Sequence, residues 1–328
     1  MKVCLAGLLY LLLVPLACAA EPRARTFTTN EIQAGSFTLR NQRLAATLMA
    51  PDRPSSVYCG QRFESGGVVL QVAVDGKHTF LGKEPRGGRL GGFGLIEEMG
   101  ISRAVGYEEA RPGEPFLKLG VGLLQRGKNP RYLFYPPHPE VERFPWQVSL
   151  TERSATFVQI GKPFKGTACR YEKRIVVDPK EPRLRIEHVL VNTGAKPIAT
   201  DQYCHNFLAF DGAPPGPDYA VTTGFPLAPE RDAPAMRIAG KTIRFGEILK
   251  GAAYCRFKGQ PPDARSHSFR VRHDANGLEM AIGGDFPVSC FAYYADTVAI
   301  SPEAYVAIHA KPGETFRWTR TYVFKSTK

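Results

Sequence analysis

Beyond its first twenty residues the chain has no apolar run near the ~20 residues that a membrane-crossing helix needs, so that part is not expected to span a bilayer as a helix. It has no closely spaced cysteines either. The five after residue 20 (Cys59, Cys169, Cys204, Cys255 and Cys290) are scattered and odd in number. That excludes a CxxC zinc pattern and a dense disulfide framework, and leaves one or two bridges open. Basic residues outnumber acidic ones by 43 to 31, a net charge of +12, yet no Lys/Arg run with interleaved aromatics occurs. Nucleic acid is therefore not an expected partner, and scattered positive charge suits anionic surfaces or acidic glycans better. There is no phosphate-cradling glycine loop, no serine-nucleophile elbow and no histidine pair at metal-ligand spacing. Neither a metal nor an organic cofactor is expected. No fixed-period repeat is present, which disfavours propellers and solenoids.

What is present begins with MKVCLAGLLYLLLVPLACAA, one lysine followed by an apolar run and small residues ending at Ala19–Ala20. This has the shape of a cleavable secretory signal over residues 1–20, and it predicts a periplasmic or secreted protein. Cys18 raises a lipid-anchored terminus as an alternative, but Pro15 stands where that signal wants an aliphatic residue.

Most later segments alternate with period two. LRIEHVLVN places Leu184, Ile186, His188 and Leu190 on one face, which makes His188 a core residue. GVVLQVAV runs into Asp75–Gly76, a hairpin signal. FLKLGVGLL, TFVQI, CRYEKRIVV, GLEMAI and ETFRWTRTYVF read as further strands, and only Ile96–Ala110 offers room for a short helix. Turn pairs recur at Thr193–Gly194, Asn276–Gly277 and Pro312–Gly313, while DGAPPGPDYA reads as a rigid surface loop. Short alternating strands between turns predict an all-β fold, a large antiparallel β-sandwich, as one domain over residues 21–328.

Four stretches carry candidate chemistry. In DQYCHNF, extended backbone puts Tyr203, His205 and Phe207 on one face and Gln202, Cys204 and Asn206 on the other. Two readings stand side by side: a histidine satisfied in an aromatic strand, or a proton donor on an aromatic floor suited to the CH face of a sugar. In ISPEAYVAIHA, Ala304, Val306 and Ile308 turn to the core while Glu303, Tyr305 and His309 turn away. Glu303 is either a surface carboxylate or a partly desolvated general base. In YCGQRFESGG, Arg62 and Glu64 lie two apart on an expected strand edge. In GLIEEMG, Glu97 and Glu98 either pair with Arg62, accept sugar hydroxyls or face solvent. His78 and His138 fall in turn-rich stretches, and His267 and His273 in polar context.

Together, YCGQRF, GLIEEMG…GYEEA, FLKLGVGLL, LRIEHVLVNTG, YCHNF and SPEAYVAI…PGETFRW resemble the galactose mutarotase-like group, to which the aldose 1-epimerases belong. The resemblance runs from about Tyr58 to the C-terminus. It implies a large antiparallel sandwich with a sugar site on a concave sheet face. By position it makes His205 the acid and Glu303 the base of sugar-ring opening, and Arg62 a sugar-binding arginine. Glu98 and Glu97 would line the pocket, with Tyr203, Asn206 and Tyr305 as further substrate contacts. The base is flanked by Ser301–Pro302, where the epimerases carry a VEP-like sequence. The expected function is interconversion of sugar anomers by acid/base ring opening. A carbohydrate-binding or accessory protein with the same cleft is the alternative, and a polysaccharide-degrading enzyme a third.

Overall fold

The computed structural model describes residues 34–52, 56–58, 60–82 and 91–327. The expected signal segment, Cys18 and Cys59 lie outside them. Among the described residues, two ten-stranded sheets and one of three strands account for the architecture, and every strand pairing is antiparallel. The first large sheet starts at Ser36–Arg40 and passes through Leu44–Met49, Val69–Val74, Leu95–Met99, Ile198–Asn206, Ile300–Ala310 and Cys290–Ala295. It ends at Ala253–Lys258 and Ala228–Pro229. The second has Thr315–Ser326, Arg183–Asn192 and Cys169–Val177 near its middle. The small sheet, Pro115–Lys118, Gly122–Gln125 and Glu140–Arg143, is separate from both.

The alternating segments fold as their pattern dictates. Leu184, Ile186, His188 and Leu190 all point into the space between the large sheets. Asp75 and Gly76 both take positive φ (53° and 65°), as the tightest hairpins require. Two expectations fail. Ile96–Ala110 holds no helix; it continues the strand Leu95–Met99 and then turns at the positive-φ residues Gly100 and Gly106. FLKLGVGLL is not one strand but a hairpin, broken where Gly120 and Gly122 take positive φ. Cys169, Cys204, Cys255 and Cys290 are all free, so none of them forms a bridge.

Burial breaks from alternation over the longest runs where three neighbouring strands meet. All five residues of Leu95–Met99, the last five of Ile198–Asn206 and the first seven of Ile300–Ala310 are buried. Sheet strands are buried on both faces only where something covers the outer one. Here the cover is an aromatic cluster of loop and strand residues, including Tyr58, Phe63, Phe93 and Phe207.

The inner face of the same strands meets an ionic network. Glu97 contacts Lys173 (2.8 Å), Arg320 (2.9 Å) and His188 (3.2 Å), and Lys173 also holds Glu64 at 2.7 Å. Gln202 accepts hydrogen bonds from Trp318 (3.0 Å) and Arg320 (2.6 Å). His188 is stacked on Trp318, with ring centroids 4.6 Å apart, and lies parallel to Tyr171. Burial pushes the His188 pKa down to about 4, against the pull of Glu97, so it sits neutral in this network.

Candidate functional site

Antiparallel register assembles the site. Tyr203 lies opposite Glu98 on one neighbouring strand and opposite Tyr305 on the other. Continuing that register two residues, one forward and one back, sets His205 across from Glu303. Their Nε2 and Oε1 atoms stand 3.3 Å apart. Both side chains line a cavity of about 750 Å³ together with Arg62, Phe134, Tyr203, Phe207, Tyr294 and Tyr305.

Each group is held in place. The His205 ring stacks flat on Phe207, two residues along the strand, at 3.9 Å between centroids. Tyr294 meets its edge at 5.2 Å. Nδ1 of His205 is buried with no hydrogen-bond partner among the described residues. Ser301 and Tyr305 direct their hydroxyls at Glu303 from 3.3 and 3.4 Å, and Ser301 in turn accepts the Asn206 amide at 3.0 Å. Tyr305 stacks on Tyr203 at 4.6 Å. The cavity thus offers aromatic faces for apolar surfaces and an imidazole–carboxyl pair for polar atoms.

The remaining candidates divide. Arg62 reaches the cavity, but Glu98 Oε2 (3.0 Å) and the Tyr203 hydroxyl (2.9 Å) already hold its guanidinium, which lies over Phe134. Glu98 corrects the expectation of a pocket-lining residue. It is fully buried behind the wall, where Arg62, Lys118 (2.9 Å) and Tyr203 (2.9 Å) take up its oxygens. Glu97, its neighbour in the strand, necessarily points the other way, into the inter-sheet network. Asn206 is a third correction: its amide bonds the Pro302 carbonyl and Tyr322 inside the sandwich. Arg62 and Glu64 share no strand edge. The segment is a loop that turns Arg62 to the cavity and Glu64 to Lys173. His267, expected in polar context, is buried beside Phe286. Phe134, Tyr254 and Tyr294 line the cavity without any signal in the local sequence pattern. Nothing in FAYYAD distinguishes outward Tyr294 from inward Tyr293.

Burial raises the Glu303 pKa to about 8, against the opposing pull of Arg62. Burial, assisted by Arg62, drives that of His205 well below its ordinary value. At neutral pH the pair therefore carries one proton, and the proton rests on Glu303. The resemblance implied the reverse, a charged His205 beside a Glu303 carboxylate. An unfolded glutamate releases its proton near 4.5, so folded Glu303 binds it more tightly. The stability this contributes is complete below 4.5 and is lost as pH rises through about 8. Glu303→Gln, which does not ionise, should gain on the wild type between about pH 5 and about pH 9 by on the order of a few kcal/mol. Urea unfolding at both pH values checks this, and a constant difference contradicts it.

Among the described residues no group of three or more His, Cys, Asp or Glu is arranged to hold a metal, and no helix is long and apolar enough to cross a membrane. No protein-family model and no curated protein matches the chain. Solved structures do. An Escherichia coli K12 protein with a provisional aldose 1-epimerase assignment superposes with TM-score 0.59 at 13% identity, over 89% of this chain and 99% of that one. A galactose mutarotase-like protein from Clostridium acetobutylicum gives 0.56 at 10%, over 89% and 95%. Galactose 1-epimerase from Lactobacillus acidophilus NCFM gives 0.53 at 15%, over 88% and 94%. At these identities the likeness is one of architecture, and a fold by itself assigns no activity. The chain has the galactose mutarotase-like β-sandwich fold.

Proposed function

We propose that the protein interconverts the anomers of a sugar by opening and reclosing its ring, with His205 and Glu303 as the proton-transfer pair. The observation that supports this most is the 3.3 Å approach of the two groups in an aromatic cavity. The anomeric hydroxyl and the ring oxygen are both bonded to C1, so a pair acting on them must itself be close together. Glu303 donates its proton to the ring oxygen as the C1–O5 electron pair moves to O5. Neutral His205 takes the proton of the anomeric hydroxyl, and C1–O1 becomes a carbonyl. Rotation about C1–C2 presents the other carbonyl face. Both protons then return, His205 to O1 and O5 to Glu303, which restores the starting pair. The donor of one half is the acceptor of the other, so both groups must exchange protons near the working pH.

Polarimetry of freshly dissolved α-aldoses tests the reading: the wild type should hasten the drift to equilibrium for at least one sugar. Binding without acceleration would leave a carbohydrate-binding protein in its place. Activity should fall above about 8, where Glu303 loses the shared proton, and again at acid pH, where His205 gains a second. Arg62 pushes both pKa values down, so Arg62→Ala should move both limbs of the pH–rate profile upward. Unmoved limbs would show that Arg62 does not act on the pair's charge.

Export is part of the same proposal and rests on the sequence of residues 1–20. An N-terminally processed chain outside the cytoplasm is the expected result, and an intact N-terminus in the cytosol would refute it.

A further inference from the structure

The cavity is larger than one sugar. At ~30 Å³ per water-sized group, about 750 Å³ takes roughly twice the heavy atoms of a hexose. It also continues outward. Lys250, Gly251 and Ala252 line it on one side and line a neighbouring cavity of about 510 Å³ as well. A side chain added at Gly251 would have nothing within 4 Å, so this shared wall is low and open.

Charge along this route is unbalanced. In the first cavity the acids are engaged. Asp296 accepts the Val298 and Ala299 amides (2.7 and 2.9 Å) and the Tyr294 hydroxyl (3.2 Å), and Glu303 faces His205. Arg62 is already paired with Glu98, which also holds Lys118. Lys250 is exposed on the shared wall and makes no ion pair or side-chain hydrogen bond among the described residues. The same holds for Arg237 in the second cavity, whose walls carry a single acid, Glu247. Two cations without partners along an open path call for an anion, which both can bind through charge-assisted hydrogen bonds.

We propose that the substrate is an acidic oligosaccharide of at least two units. Its reducing end lies at His205 and Glu303, and the carboxylate or sulfate of the next unit lies against Lys250, with Arg237 beyond. The placement of the reducing end rests on the anomer-interconversion reading; the anion site does not.

Calorimetric titration of the full protein with digalacturonate, a sulfated disaccharide and lactose separates the possibilities. At least one acidic disaccharide should bind about tenfold or more tightly than lactose, and added salt should erode the difference. Lys250→Ala should remove most of that preference and Arg237→Ala part of it. Lys180→Ala, an equal charge change on the turn after Cys169–Val177, should leave it intact. Whichever acid binds more tightly identifies the anion. Equal affinities, no binding of any disaccharide, or a preference that survives Lys250→Ala overturns the proposal. Accelerated exchange of neutral aldoses without an acidic preference defeats it and leaves the catalytic reading standing. Lys250-dependent binding without acceleration does the opposite.

Discussion

On the proposed mechanism, His205→Ala should lower the anomer-exchange rate by about 10²–10⁴-fold, the range for losing one positioned proton-transfer group. Glu303→Gln should do the same, because an amide neither gives up nor takes back the proton. In the proposed cycle neither transfer is complete without the other, and the two groups stand 3.3 Å apart, so the pair is expected to work as a unit. The double variant should therefore lose far less than the product of the two single losses. Both variants keep the aromatic cavity and should still bind sugar, since Phe207, Tyr203 and Tyr305 are untouched. NMR line shapes of the two anomeric protons, followed against protein concentration, give the rate directly. Wild-type exchange in either single variant would remove the pair from the mechanism.

Lys173→Met should destabilise the fold by about 3–5 kcal/mol, the usual result of removing one partner from a buried charge network. Methionine approximates the length and volume of the lysine stem, so lost packing contributes little. What remains is electrostatic. Glu97 keeps Arg320 and His188, but Glu64 is left with the Tyr171 hydroxyl at 3.2 Å as its polar contact. A second change, Glu64→Gln, removes the stranded charge and should recover part of the loss. Urea unfolding of the three proteins measures it. A cost below about 1 kcal/mol would mean that water reaches the network or that Glu64 simply takes up a proton.

The alternation of polar and apolar residues carried the fold. Cys169–Val177 and Arg183–Asn192 occupy the segments marked by their periodicity, because each has one face in the core and the other nearer solvent. At the site, parity in DQYCHNF was enough to group Tyr203, His205 and Phe207. The same parity already set Asn206 on the opposite face, against its inclusion as a substrate contact. Glu97 and Glu98 are neighbours in one strand and so point opposite ways; which faces inward depends on strand order, which the local pattern does not contain. The inter-sheet network was illegible for a related reason. Its bonds join residues far apart in the chain, such as Arg320 and Glu97, 223 positions away. The pKa reversal of His205 and Glu303 is likewise a product of near-complete burial, and in the sequence both lie among residues compatible with an exposed strand edge. Phe134 and Lys250 come from loops, where no periodicity exists to read.

A crystal structure of the Glu303→Gln variant with an aldose bound examines the geometry without turnover. The anomeric hydroxyl and ring oxygen should each lie within hydrogen-bonding distance of His205 Nε2 or the residue 303 side chain, with a pyranose face against an aromatic ring. A sugar seated with C1 at the far rim, or found outside this hollow altogether, would contradict the account.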